Sequence, residues 1–296
     1  MTFQQARKLT DEQAREYLES LRWPNGPVCP HCGSTEATKL KGKATRPGVY
    51  KCKAKVCRKQ FTVTIGTIFE RSHIPLNHWI MTFALMSASK KGISAKQVER
   101  MTGCTYEAAW FMCHRIRAAM AQEPMKGLLS GTIESDETWI GGKARGKGQG
   151  HVENKVAVQA LVQRGGPMRA RAIGRVSVRN LRRSFDALVD KQASILMTDE
   201  SSAYKLIGTP FTDHQSVNHS RSEYSRGACH VNTCESFFAL LKRGVHGTFH
   251  HVGKQHLQRY CDEFAFRWNH RKVSDAERTE SALRLAPGCR LMYKAS

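Results

Sequence analysis

Apolar and polar positions along this chain keep a helical period over residues 1–23 and again from 76 to 121, and shift towards a strand pattern from about residue 131. The opening "MTFQQARKLTDEQAREYLESLRW" reads as a short amphipathic helix with no apolar signal core. From Ser72 to Ser89 there is no charge, yet Pro75, Asn77 and two histidines interrupt the run, which fits a buried helix better than a membrane span. It opens a set of three helices, near 76–89, 94–102 and 105–121. Ser94 is a fair N-cap, and "TGCT" supplies the tight turn before the third helix.

The second half changes period. "GTIESDETWIG" (131–141) looks like a strand carrying Asp136. "KVAVQALVQR" and "MRARAIGRVSV" predict a hairpin turning at Gly165-Gly166-Pro167. A helix, "NLRRSFDALV", follows, then an apolar strand, "SILMTDESSAY", that ends at Asp199. This is a mixed α/β order. "HVNTCESFFALLKRG" (230–244) reads as a helix with an unusual wheel. At 100° per residue, Asn232, Glu235 and Lys242 fall within about 80° of one another. Phe237, Leu240 and Leu241 gather opposite, and Ala239 keeps the polar side open. "HVGKQHLQRYCDEFAFRWNHRK" predicts a closing helix over the sheet, and residues after Lys272 carry no readable signal.

Charge sharpens the picture. The net charge is +22, of which residues 28–73 hold +8, with ten basic and two acidic residues. Residues 1–27 are neutral. A surplus focused on one small segment predicts a polyanion partner, most simply nucleic acid. Lys51, Lys53, Lys55, Arg58 and Lys59 are the candidate phosphate contacts. The helical trio then predicts a helix-turn-helix. In that arrangement Thr105, Tyr106 and Glu107 would lie near base edges, with Arg115 and Arg117 on backbone phosphates. An ordinary three-helix linker is the alternative. Nothing points to a membrane, and the expected location is cytoplasmic.

In a reducing compartment, ten cysteines at regular or irregular spacing point to metal before disulfides. Cys29-x2-Cys32 and Cys52-x4-Cys57 are two knuckles able to aim four thiolates at one tetrahedral Zn²⁺. "QFTVTIGTIF" leads out of this ribbon as a strand. His31 and the six other cysteines show no ligand spacing.

Asp136 and Asp199, on neighbouring strands, and Glu235, on a helix packed across the sheet edge, can converge on a pair of Mg²⁺ or Mn²⁺ ions. A one-residue slip would turn Glu134, Glu137 or Glu200 inward instead, and Asn232 has the alternative role of capping its helix. At this point "CPHCGS", "FTVTIGTIFE", "ESDETWIGG", "MTDESSAY" and "HVNTCESFFALLKRGVHGTFHHV" together resemble the DDE transposases of bacterial insertion sequences, in the branch with an N-terminal zinc ribbon. The resemblance implies an RNase H-like catalytic fold and transfer of DNA strands at the ends of a mobile element. It implies Asp136 and Asp199 as metal ligands, with Glu235 or Asn232 completing the site. Lys242, beside Arg243, matches the family's basic residue near the reacting DNA end. A homodimer pairing two element ends on double-stranded DNA is implied too. A nuclease of the same fold and a non-catalytic DNA-binding regulator are the rival readings. The expected division is an N-terminal helix (1–24), zinc ribbon (25–73), helix-turn-helix-like module (74–127), catalytic domain (128–275) and tail (276–296).

Overall fold

The computed structural model describes residues 1–42, 44–122, 127–142, 153–218, 223, 225–289 and 291. The chain divides into two compact units, one of residues 1–120 with 273–296 and one of residues 121–272.

The first unit opens with helices α1 (Phe3–Arg7) and α2 (Asp11–Arg22), each started by a threonine capping box. Three short antiparallel strands follow in the order β1-β2-β3: β1 (Ala37–Lys39), β2 (Tyr50–Cys52) and β3 (Gln60–Phe61). Their inner face carries Tyr50 and Phe61, which meet Trp23 with ring centroids 5.5–5.7 Å apart. Their outer face carries Thr38, Lys51 and Gln60. The strand expected in "QFTVTIGTIF" stops at Phe61. Beyond it the β-branched residues form turns, because Arg22 Nη1 donates to the Val63 and Ile65 carbonyls and draws the backbone round itself.

Helix α3 (Leu76–Ala88) is buried on every side from Trp79 to Ser87, as its charge-free sequence requires. Helix α4 (Ala95–Thr102) starts at the Ser94 cap and ends at Gly103, whose φ of 76° is the left-handed stop that favours glycine. Helix α5 (Tyr106–Met120) follows at once. The segment read as a tail is partly a helix, α10 (Asp275–Arg284), with its own Ser274–Glu277 capping box. It buries Thr279, Ala282 and Leu283, and Arg278 donates to the Ser87 carbonyl of α3 at 2.9 Å. Its apolar residues are too sparsely spaced to stand out, so its place depends on partners distant in sequence. Residues 290 and 292–296 of that tail lie outside the described residues.

In the second unit a five-stranded sheet runs β6-β5-β4-β7-β8. Its members are β4 (Leu129–Gly141), β5 (Lys155–Gln163), β6 (Met168–Ile173), β7 (Val189–Thr198) and β8 (Asp213–Ser216). The first three are antiparallel, and β7 and β8 continue parallel to β4. Helices α6 (Val178–Leu188) and α7 (Ser202–Gly208) cover one face, packing Phe185 and Tyr204 on Ile133 and Leu161. Helices α8 (Asn232–Gly244) and α9 (Leu257–Asn269) cover the other, packing Phe237, Leu241 and Phe264 on Val158 and Ala160. Both faces are apolar, so β5 reads as a continuous apolar run. The free edge of β6 is closed by side-chain amides of α9. Gln258 accepts from the Ala172 N–H and donates to the Ala170 carbonyl, and Asn269 does the same for Met168. An exposed strand edge invites pairing with another chain, and these amides occupy its hydrogen bonds.

Candidate functional site

The four cysteines of the first unit bring their Sγ atoms within 4.8 Å of one another. Cys29 and Cys57 stand 3.8 Å apart and Cys32 and Cys52 3.6 Å. A tetrahedral ion with Zn–S bonds of about 2.3 Å requires sulfur separations of about 3.8 Å, so the donor set fits Zn²⁺. Burial raises the Cys29 thiol, but the N–H groups of His31 and Cys32 outweigh it and bring the group down to about 7. Cys32 goes the other way: the Ser34 N–H favours its thiolate, but burial and the neighbouring thiols push it up to about 12. Lys51, Lys53, Lys55, Arg58 and Lys59 are all exposed around the second knuckle.

The helical trio is present, and Thr105, Tyr106 and Glu107 are exposed at the start of α5. Arg115 and Arg117 do not join them. Both are buried, at 5% and 2% exposure, and Arg115 donates to the carbonyls of Ile68, Glu70 and Leu291. The Arg115 guanidinium is spent on main-chain carbonyls inside the unit and Arg117 is buried, so neither stands on a surface that could meet phosphates.

The carboxylates of the second unit are positioned by strand register. Glu134 pairs with Met197 across the parallel β4–β7 ladder, and continuing two residues sets Asp136 beside Asp199. Adjacent strands lie about 4.8 Å apart. Asp136 sits opposite Ala160, on the face covered by α8 and α9. Asp199 shares the parity of Met197, which faces the same way, opposite to Leu196. Both aspartates are half-buried, and the Asp199 Oδ1 accepts from the Ser201 N–H.

Their neighbours go elsewhere. Glu137 points to the opposite face and accepts from the Tyr204 hydroxyl. Burial raises its carboxyl to about 7, the Tyr204 bond opposes this, and the charges of Asp136 and Asp199 add to the rise. Glu134 shares the face of Asp136 but is fully buried and engaged. It accepts from the Thr233 N–H and hydroxyl, each at 2.9 Å, and from Arg164 Nε at 2.7 Å. Arg164 also donates to the carbonyls of Ala228 and His230. Thus Glu134 caps α8 from a distant strand, where a negative charge suits a helix N-terminus. Asn232 does not perform that job. It is the first helical residue, and Val231, at the cap position, makes no side-chain cap bond.

The cap places Glu235 near the sheet. The buried Cys234 thiol is pushed up first by burial and then by the charges of Asp136, Glu134, Glu137 and Glu235, which gather around it. Asn232, Glu235 and Lys242 are all exposed along one stripe of α8, with Arg243 alongside donating to the Ala239 carbonyl. Lys242 lies about 10 Å further along the axis than Glu235, at 1.5 Å per residue. The three expected acids do not close as tightly as the cysteines. Among the described residues only the four cysteines form a group of three or more within 4.8 Å. Sequence reasoning missed Glu134, Arg164 and Thr233 as a unit. The acid-rich "ESDET" flagged the strand, but nothing near Arg164 marks it.

Residues 128–269 match the ISXO2-like transposase domain, and residues 9–60 match the transposase zinc-ribbon domain. The chain belongs to the ISXO2-like transposases. The ribbon match begins inside the N-terminal helical segment, in keeping with the packing of Trp23 on β2 and β3. The chain is also 27% identical, over 278 residues, to an uncharacterized protein in transposable element ISH50 of Halobacterium salinarum, across 88% of this chain and 91% of that protein. No solved structure matches it. No helix among the described residues of this transposase is long and apolar enough to cross a membrane.

Proposed function

We propose that this transposase binds the terminal inverted repeats of its element and catalyses divalent-metal-dependent cleavage and transfer of DNA strands. What supports the reading is that the β4–β7 register carries Asp136 towards Asp199, and that the Glu134–Thr233 bond seats the start of α8, two residues before Glu235, on the same strand as Asp136. Hard oxygen donors suit Mg²⁺ or Mn²⁺, and after burial, which does most to raise Glu137, the charges of Asp136 and Asp199 add to its rise. Asp136, Asp199 and Glu235 would hold the ions, with Asn232 on the same exposed stripe as an added oxygen donor. We take the ions to be a pair, as in-line displacement at phosphorus would use. When bound, such a pair stabilises the charge on the attacking and leaving oxygens of an in-line displacement.

The protein's own groups then orient the DNA. Lys242 and Arg243 extend from the acids along α8 and would meet phosphates near the reacting end. In the first unit, the lysines and Arg58 of the ribbon would grip the duplex, with Thr105, Tyr106 and Glu107 reading bases. No protein nucleophile is required, since a water and then a 3′-hydroxyl attack phosphorus in turn. Two element ends held together would require two copies of the chain.

The test incubates the full chain with Mg²⁺ and a duplex carrying the inverted repeats that flank the gene. Wild type is expected to nick and join, and Asp136→Asn or Asp199→Asn to lose both while still binding the duplex. Joining that persists in either variant removes the mechanism. Nicking without any joining would make the protein a nuclease of this fold.

A further inference from the structure

Three helices of this chain, α2, α4 and α10, pair basic residues with acids one turn away. Arg15 meets Asp11 and Glu12, Lys96 meets Glu99, Arg278 meets Asp275, and Arg284 meets Glu280. That interleaving is what a solvated helix face ordinarily shows. Helix α6 departs from it. Arg179, Arg182 and Arg183 stand exposed on its outer side, with Arg175 exposed just ahead, while Leu181, Phe185 and Leu188 bury the inner side. The three helical arginines lie within an arc of about 100°. None of them has an ion pair among the described residues, and the nearest acid on the helix, Asp186, is engaged by Lys191. Arg182 donates to the Leu206 carbonyl, which fixes α7 beside the row.

Nothing in the packing requires these charges. Apart from the Arg182 bond to Leu206, no hydrogen bond of the helical arginines holds another element among the described residues, and Asp186, the one acid on their side of the helix, is matched by Lys191. A row of guanidinium forks without aromatic residues or free amides among them fits phosphates rather than base edges. Asn180, the one amide in the row, is spent on the Arg175 carbonyl. The row also lies on the sheet face opposite α8, away from the stripe of Glu235 and Lys242.

We propose that the outer face of α6 binds the phosphate backbone of duplex DNA without regard to sequence, on a segment other than the one lying over α8. The inference rests on the reading above only for the identity of its ligand, and it needs neither the acids nor a metal. A charged lipid surface would match the same guanidinium groups, but the DNA-processing family favours the duplex.

The test compares full-length wild type, the triple variant R179A/R182A/R183A, its charge-keeping counterpart R179K/R182K/R183K, and D136N. The probe is a fluorescent 30-base-pair duplex of arbitrary sequence, titrated without divalent metal across a range of salt. Each neutralised phosphate contributes about 0.9 to the slope of log affinity against log salt, so the alanine triple is expected to lower that slope by up to about 2.7. The lysine triple should keep most of it. A single Arg183→Ala, expected to lower the slope by about 0.9, guards against misfolding of the triple. An unchanged slope in both alanine variants overturns the proposal. Lost binding to phosphatidylserine vesicles with DNA binding intact would also overturn it, by assigning the surface to lipid. Failure of D136N to block strand joining would sink the catalytic reading and leave this one standing.

Discussion

Removing Arg164 from the link between β4 and α8 gives the sharpest physical test of how the acids are held. Its Nε meets the carboxylate of Glu134, which has no exposed surface, while the Arg164 side chain itself remains 24% exposed. Arg164→Met would leave a buried carboxylate with only the two Thr233 donors and the His230 ring 3.5 Å away. Breaking a buried pair in this way costs about 3–5 kcal/mol. The exposed carbonyl of Ala228 can turn to water, so the lower end, about 3 kcal/mol, is expected. Glu134→Gln keeps an acceptor for Thr233 and leaves the unpaired charge on the partly exposed partner, so it should cost only about 1–2 kcal/mol. The double variant, with no buried charge to strand, should cost less than the sum of the two.

Because the chain has two units, a single melting curve would mix their transitions. Hydrogen exchange followed by mass spectrometry separates them through peptides covering Leu129–Gly141 and Asn232–Gly244. Arg164→Met should speed exchange there by roughly a hundredfold, at about 1.4 kcal/mol per factor of ten, and leave α3 unchanged. Strictly additive effects of the two substitutions, or a change under threefold in Arg164→Met, would refute the idea that the pair holds α8 to the sheet.

Zinc removal by a strong chelator should unfold the ribbon, since structural zinc contributes about 10–16 kcal/mol in zinc-finger peptides; Cys52→Ser should likewise reduce bound zinc from one ion to none by elemental analysis, with loss of the near-ultraviolet signal of the Trp23 cluster. Burial raises the Asp262 carboxyl to about 6, against the Gln258 bond and the charge of Arg171. The unfolded chain therefore ionises this group first, and stability falls as pH rises from about 4 to about 6. Asp262→Asn keeps the acceptor for Gln258, so it should raise stability above pH 6 by up to about 3 kcal/mol and change little below pH 4, as read from urea melts; no gain at pH 7.5 would refute the shift. Gln258→Leu would free the Ala170 and Ala172 hydrogen bonds at the sheet edge, and light scattering on warming should show earlier aggregation than in wild type.

How much of this was legible depended on whether a residue's role is local. Strands β4 to β7 announce themselves by apolar runs, and the helices by period and caps such as Ser94. The four-residue β8, "DHQS", is polar and partly exposed, so nothing in its pattern separates it from a loop. "QFTVTIGTIF" misled in the other direction, since its β-branched composition was overruled by Arg22 reaching two of its carbonyls. Arg115 and Arg117 looked like surface cations because basic residues usually are, and their burial depends on carbonyls far away in sequence. Asp136 and Asp199 were readable because both stand where an apolar strand ends or carries an acid it does not need for packing. Glu235 was readable only through the wheel of α8, and the link that seats it was not.

That link bears on why the acids can meet at all. In the proposed site Asp136, Asp199 and Glu235 would repel one another, and the charges of Asp136 and Asp199 already add to the rise that burial gives the Glu137 carboxyl. Left alone, the field would push the N-terminus of α8 away from the sheet whenever no cation is bound. Glu134 sits two residues before Asp136 and Thr233 two before Glu235, so the attraction between strand and helix is set one step back from the repulsion on each side. Glu134 carries negative charge itself, yet Arg164 neutralises it and the helix terminus welcomes it. The same residue type thus draws the two elements together at one position and, two residues on, forces them apart. Cations at the outer position would relieve the repulsion without having to assemble the site, and the apolar packing of Phe237 and Leu241 on Val158 and Ala160 keeps the rest of α8 in place.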